Sequence, residues 1–79
     1  MTVIEIPDEL IDVLQPGTVV RVHYNENNIN NELRHIRGIV DDDQIVYRVW
    51  SKRKQTWRYH VEWIYAFHLL FKDGHLSKA

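Results

Sequence analysis

The feature that most constrains this chain is a strict alternation of side chains from Thr56 to Tyr65. The odd-numbered positions are apolar or aromatic, and they are Trp57, Tyr59, Val61, Trp63 and Tyr65. The even-numbered positions up to residue 62 are polar, and they are Thr56, Arg58, His60 and Glu62. Because successive side chains of a strand point to opposite faces, this period of two predicts a half-buried β-strand. We therefore expect a mainly β fold.

Shorter patterns predict three more strands and an opening helical turn. The strands are predicted at Thr18–Tyr24, Leu33–Val40 and Ile45–Trp50, with a bulge at Gly38. Pro7 and the acidic residues after it favour one or two helical turns, which Pro16 and Gly17 end.

The connections carry turn-forming residues. Asp41–Asp43 and Ser51–Gln55 predict turns, and the asparagine-rich segment Asn25–Asn31 predicts a mobile loop. Residues 66–71 satisfy both strand and helix spacing, so both alternatives stay open. His75–Ala79 is expected to fray.

The order of these elements resembles that of the small SH3-like β-barrels. The likeness rests on the run Pro-Gly-Thr-Val-Val-Arg-Val, the long polar loop, the short-turn meander and the compact apolar end. It covers roughly Gly17 to Phe71 and implies a small SH3-like barrel or a strongly bent antiparallel meander of four to five strands. The length predicts one domain, residues 1–79. Residues 1–16 would form a cap, 17–71 the barrel and 72–79 a tail. Size and composition are also similar to small accessory proteins of bacteriophages and bacteria.

Length and composition narrow the classes of function. A chain of 79 residues buries only roughly 60% of its unfolded surface, which leaves little room for a substrate cleft. Without cysteine it forms neither disulfides nor thiolate zinc sites. Met1–Glu5 contains no basic residue, and no apolar run approaches the roughly 18 residues that span a membrane. We expect a cytoplasmic protein without a membrane partner.

Motifs for catalysis are missing from the sequence. Ser51 and Ser77 have no glycine elbow, and the three glycines are too far apart to cradle phosphate. The five histidines show no recognised metal spacing, although His60 and Glu62 share a strand face. We expect a non-catalytic protein with no cofactor, no metal and no small-molecule substrate.

The hairpin between residues 46 and 61 is the strongest candidate site. With an even-numbered turn, the pairing sets Trp50 opposite Trp57, Arg48 opposite Tyr59 and Val46 opposite Val61, all on one face. An odd-numbered turn would scatter them. Acidic residues dominate up to residue 46 and basic residues thereafter. Lys52, Arg53 and Lys54 form a basic turn that adjoins the aromatic face. The candidate binding residues are Arg48, Trp50, Lys52, Arg53, Lys54, Trp57, Arg58 and Tyr59.

Two interpretations compete for this hairpin. Aromatic rings beside cations are typical of surfaces that bind single-stranded nucleic acid. We call Trp57, Tyr59, Val61, Trp63 and Tyr65 the aromatic row. The simpler interpretation is that the row as a whole faces the core, and this is the one that we expect.

The first functional hypothesis is a module that binds nucleic acid or an acidic partner through this hairpin. The alternative is a protein-interaction or assembly module that uses an apolar face including Trp63, Phe67 or Phe71. A homodimer would form if the acidic segment 5–12 docked on the basic half of another copy. The near-neutral pI of about 6.5 favours the alternative somewhat.

Overall fold

The computed structural model describes residues 5–23 and 31–79. The elements in chain order are α1 (Asp8–Val13), β1 (Val19–Val22), β2 (Glu32–Val40), β3 (Gln44–Ser51), β4 (Thr56–Trp63), α2 (Ile64–Lys72) and β5 (Leu76–Lys78). All strand pairings are antiparallel, in the order β4-β3-β2-β1-β5. The mainly β class is confirmed. The sheet is open, with β4 and β5 at its two ends in the described chain, so an SH3-like barrel is not confirmed. Most of the asparagine-rich loop lies outside the described residues.

The turn between β2 and β3 uses left-handed backbone at two aspartates. Asp41 and Asp42 have φ of 55° and 62°, and the Asp43 amide donates to the Val40 carbonyl over 3.3 Å. Aspartate tolerates this conformation better than most residues. The predicted turn at Asp41–Asp43 is confirmed.

The turn between β3 and β4 contains four residues, 52–55. The Lys54 amide donates to the Ser51 hydroxyl oxygen over 3.3 Å, and the Gln55 side-chain amide donates to the Lys52 carbonyl over 2.7 Å. Ser51 therefore stands opposite Thr56. This even-numbered connection sets the register of the whole hairpin.

A bulge interrupts β2 where glycine predicted one. His35 and Ile36 stand opposite Arg48 and Tyr47, and the register then shifts so that Gly38 stands opposite Val46. The extra residue lies between Ile36 and Gly38 and increases the local bend of the strand.

The core lies between one face of the sheet and the two helices. Its buried side chains are Leu10, Leu14, Val20, Val22, Ile36, Ile45, Tyr47, Phe67 and Leu76. Phe67 of α2 meets the Tyr47 ring edge-on, with the centroids 5.6 Å apart. We call this side of the sheet the inner face and the opposite side the outer face. In the described chain the helices have six and nine residues, too few to cross a membrane.

One cation is buried on the inner face. The Arg34 guanidinium carbon lies 4.6 Å from the Tyr47 ring centroid and 5.3 Å from that of Phe67. Its Nε donates to a Glu32 carboxylate oxygen over 2.9 Å. Pairing and stacking offset the cost of burying the charge.

Residues 66–71, for which strand and helix were both open, lie in the helix α2. α2 begins at Ile64, so β4 ends before Tyr65, which the alternation had included in the strand. The helix ends in a Schellman motif at Gly74, whose φ is 77°. There the Gly74 amide donates to the Phe71 carbonyl and the His75 amide to the Leu70 carbonyl.

The C-terminal residues are part of the sheet. Leu76–Lys78 form β5 and pair with Val20–Val22 of β1. The expectation that His75–Ala79 frays is therefore wrong. Leu76 is buried in the core, and the sequence pattern of so short a strand gives little sign of that contact.

Candidate functional site

The predicted register of the β3–β4 hairpin is confirmed. Trp50 stands opposite Trp57, Arg48 opposite Tyr59 and Val46 opposite Val61. Directly opposite residues of an antiparallel pair share a face, so these six side chains lie together.

The face that they occupy is the outer one. Tyr47 of β3 is in the core and stands opposite His60, so the polar residues of β4 lie on the inner face. Tyr59 and Val61 are each 60% exposed, and Trp63 is 56% exposed. The expectation that the aromatic row faces the core is wrong. A period of two separates two faces, but it does not say which face the helices cover.

Four outer-face residues of the hairpin form a contacting group. The Arg48 guanidinium carbon lies 3.9 Å from the Trp57 ring centroid, and Nη1 donates to the Tyr59 hydroxyl over 3.2 Å. Trp50 meets Trp57 edge-on, with centroids 5.2 Å apart and an interplanar angle of 72°. We call these four residues the aromatic cluster. Within the described residues no carboxylate pairs with Arg48, so the cluster keeps a positive charge.

A histidine that the sequence analysis did not single out packs against the aromatic cluster. His35 of β2 packs edge-on against Trp57, with the centroids 4.9 Å apart. Its position follows from its pairing with Arg48 across β2 and β3. Predicting it requires the registers of both strand pairs, one of which changes at the bulge.

A shallow cleft lies beside the cluster at the end that carries the basic turn. Its volume is about 290 Å³. It is lined by Asn31, Glu32, Leu33, His35, Val49, Trp50 and Lys52. Leu33 and Trp50 contribute apolar surface to it, and Lys52 contributes a cation.

The charges are separated along the strands. Lys52, Arg53 and Lys54 are exposed in the turn that follows β3, and Asp41–Asp43 form the turn that precedes it. The eight residues of β3 span roughly 26 Å at about 3.3 Å per residue. The sheet therefore has a basic end beside the aromatic cluster and an acidic end far from it.

Arg58 is the one proposed binding residue that lies apart from the others. It stands opposite Val49 on the inner face of β4, as its even position in the alternation predicts. The basic turn and the aromatic cluster contain the other seven proposed residues.

The histidines do not form a metal centre in the described part of the chain. No group of three or more histidine, aspartate or glutamate side chains there is arranged to hold an ion. His60 shares the inner face with Glu62 and stacks on Tyr47, with the centroids 5.3 Å apart.

No protein-family model matches this chain, and no significant match was found among curated proteins or solved structures.

Proposed function

We propose that this protein is a non-catalytic binding module for single-stranded nucleic acid. The aromatic cluster would stack bases, and the basic turn would contact phosphates. The observation that carries the proposal is the exposure of Trp50 and Tyr59 on the outer face, next to three consecutive cations.

Stacking suits the chemistry of the cluster. Each base that stacks on an aromatic side chain contributes about 1–3 kcal/mol of binding free energy. Arg48 adds a positive charge among the rings, without a carboxylate partner in the described chain. A base in the cleft beside Trp50 would set its phosphate near Lys52. Duplexes expose no base faces, so we expect a preference for single strands.

Salt dependence is the first test of this proposal. We would measure the anisotropy of a labelled oligothymidylate as the protein is added, at several salt concentrations. Three phosphate contacts predict that log K falls with log salt concentration with a slope of roughly −2, from about −0.7 per contact on single strands. Replacing Lys52, Arg53 and Lys54 together by glutamine should bring the slope close to zero.

Two further variants separate stacking from general charge. Trp50→Ala should weaken binding by about 5- to 150-fold, the equivalent of one lost stack, with the salt slope unchanged. Lys72→Gln removes an exposed cation from α2 and should leave binding unchanged. No binding of the wild-type protein at low salt would refute the proposal. Equal affinity for polyglutamate would instead indicate an acidic protein surface as the ligand.

A protein-interaction or assembly module is the second candidate. The specific observation in its favour is the exposure of Val61 and Trp63, which lie on the outer face away from the basic turn. This alternative predicts self-association that is insensitive to oligonucleotide, and no anisotropy change in the titration above.

A further inference from the structure

Strand β4 is long and largely exposed. It is one end of the described sheet, and six of its eight residues are exposed, on both faces. The strand at the other end, β5, has only three residues. A long open edge presents a row of backbone donors and acceptors that another strand can pair with.

We propose that a second copy of this chain pairs with this edge, β4 against β4, in antiparallel register about a two-fold axis at His60. Each Arg58 would then stand opposite Glu62 of the other copy. The sheets of the two copies would join into one ten-stranded sheet with all helices on one side.

Symmetry limits the registers available to such a pair. Opposite residues share a face, and the two-fold axis keeps the odd-numbered residues of β4 on the outer face in both copies. The axis must therefore pass between two copies of the same residue, and the candidates are Tyr59, His60 and Val61. Centring on Tyr59 sets Arg58 opposite His60. Centring on Val61 sets Arg58 opposite Ile64, which already belongs to α2.

Charge complementarity selects the central register. Only the axis at His60 sets Arg58 opposite Glu62, and the symmetry makes that contact twice. Opposite charges across a strand pair stabilise it, and like charges destabilise it. The same register pairs residues 57–63 of each copy, which is nearly the whole strand.

The outer face supports the same register. Trp57 would stand opposite Trp63 of the second copy, and Tyr59 opposite Val61. Aromatic and aromatic–β-branched cross-strand pairs are favourable, so exposed side chains of one copy would gain partners from the other. Pairing at the edge leaves the outer face open. The dimer therefore does not depend on nucleic-acid binding.

A charge swap tests this interface without disturbing the monomer. In the hairpin Arg58 stands opposite Val49 and Glu62 opposite Ile45, and neither charge forms an ion pair in the described chain. We would measure dimer dissociation constants by sedimentation equilibrium without nucleic acid. Arg58→Glu and Glu62→Arg alone should each raise the constant about tenfold, because two attractive pairs become two repulsive ones. The double variant should return it to the wild-type value.

The results that overturn the proposal are distinct. A wild-type chain that stays monomeric at millimolar concentration overturns it, as does a dimer that the single variants leave unchanged or that the double variant fails to restore. Since the chain has no cysteine, His60→Cys offers a second measurement. It should form a disulfide-linked dimer under mild oxidation, because the two residues 60 would face each other. Thr56→Cys, on the same face of β4 but far from the axis, should not. Equal cross-linking of both variants would contradict the register.

Discussion

Truncating one valine on each face of the sheet tests the assignment of the two faces. Val20 is fully buried on the inner face, and Val61 is 60% exposed on the outer face. Removing two buried methyl groups costs about 1.6 kcal/mol at about 0.8 kcal/mol per group, and the cavity raises the cost of Val20→Ala to about 2–3 kcal/mol. With only two fifths of Val61 covered, Val61→Ala should cost about 0.6 kcal/mol.

Urea unfolding followed by circular dichroism measures both changes in the free energy of unfolding. The protein concentration should lie below that of self-association, because pairing at β4 would add to the cost of Val61→Ala. The slope m should be unchanged, so that the midpoints report stability alone. Equal destabilisation by the two substitutions in the monomer would refute the exposed outer face, and with it the site.

Further predictions concern the buried cation and the turn after α2. Glu32→Gln should lower the free energy of unfolding by about 1–2 kcal/mol, because it removes the carboxylate paired with the buried Arg34. Adding Arg34→Met should recover part of that loss in urea unfolding, and a still larger loss would contradict this account. Gly74→Ala should cost about 1–2 kcal/mol from its left-handed backbone alone, since nothing lies within 4 Å of the added Cβ. Gly38→Ala, which is equally open but has no positive φ, should change the urea midpoint much less.

Most strand positions and the hairpin register could be predicted from local sequence. The even-numbered turn after Ser51 fixed the pairing of Trp50 with Trp57, and Gly38 marked the bulge. These features depend on residues close together in the chain. Turn length and backbone freedom act over a few positions, so the sequence contains the information directly.

The orientation of the hairpin and the inner cation depend on distant residues. The alternation in β4 assigns Tyr59 and His60 to opposite faces of the sheet, but it does not determine which of the two faces is buried. The choice is made by α2, whose Phe67 packs over Tyr47. Arg34 is in phase with the buried Ile36, and its burial is offset by the rings of Tyr47 and Phe67 together with the Glu32 carboxylate.

The exposed aromatic face follows from how few residues the chain has for a second layer. Strands β1 to β4 are consecutive neighbours in the sheet, and the two described turns among them are too short to contain a helix. The helices come from the segment before β1 and the segment that crosses the sheet from β4 to β5, and both pack on the inner face. The outer face therefore lacks a helical layer in the described chain, and threonine or lysine there would satisfy folding equally well. Trp50, Tyr59 and Trp63 instead expose apolar surface that folding does not require, and this exposure supports the proposed binding role of the outer face.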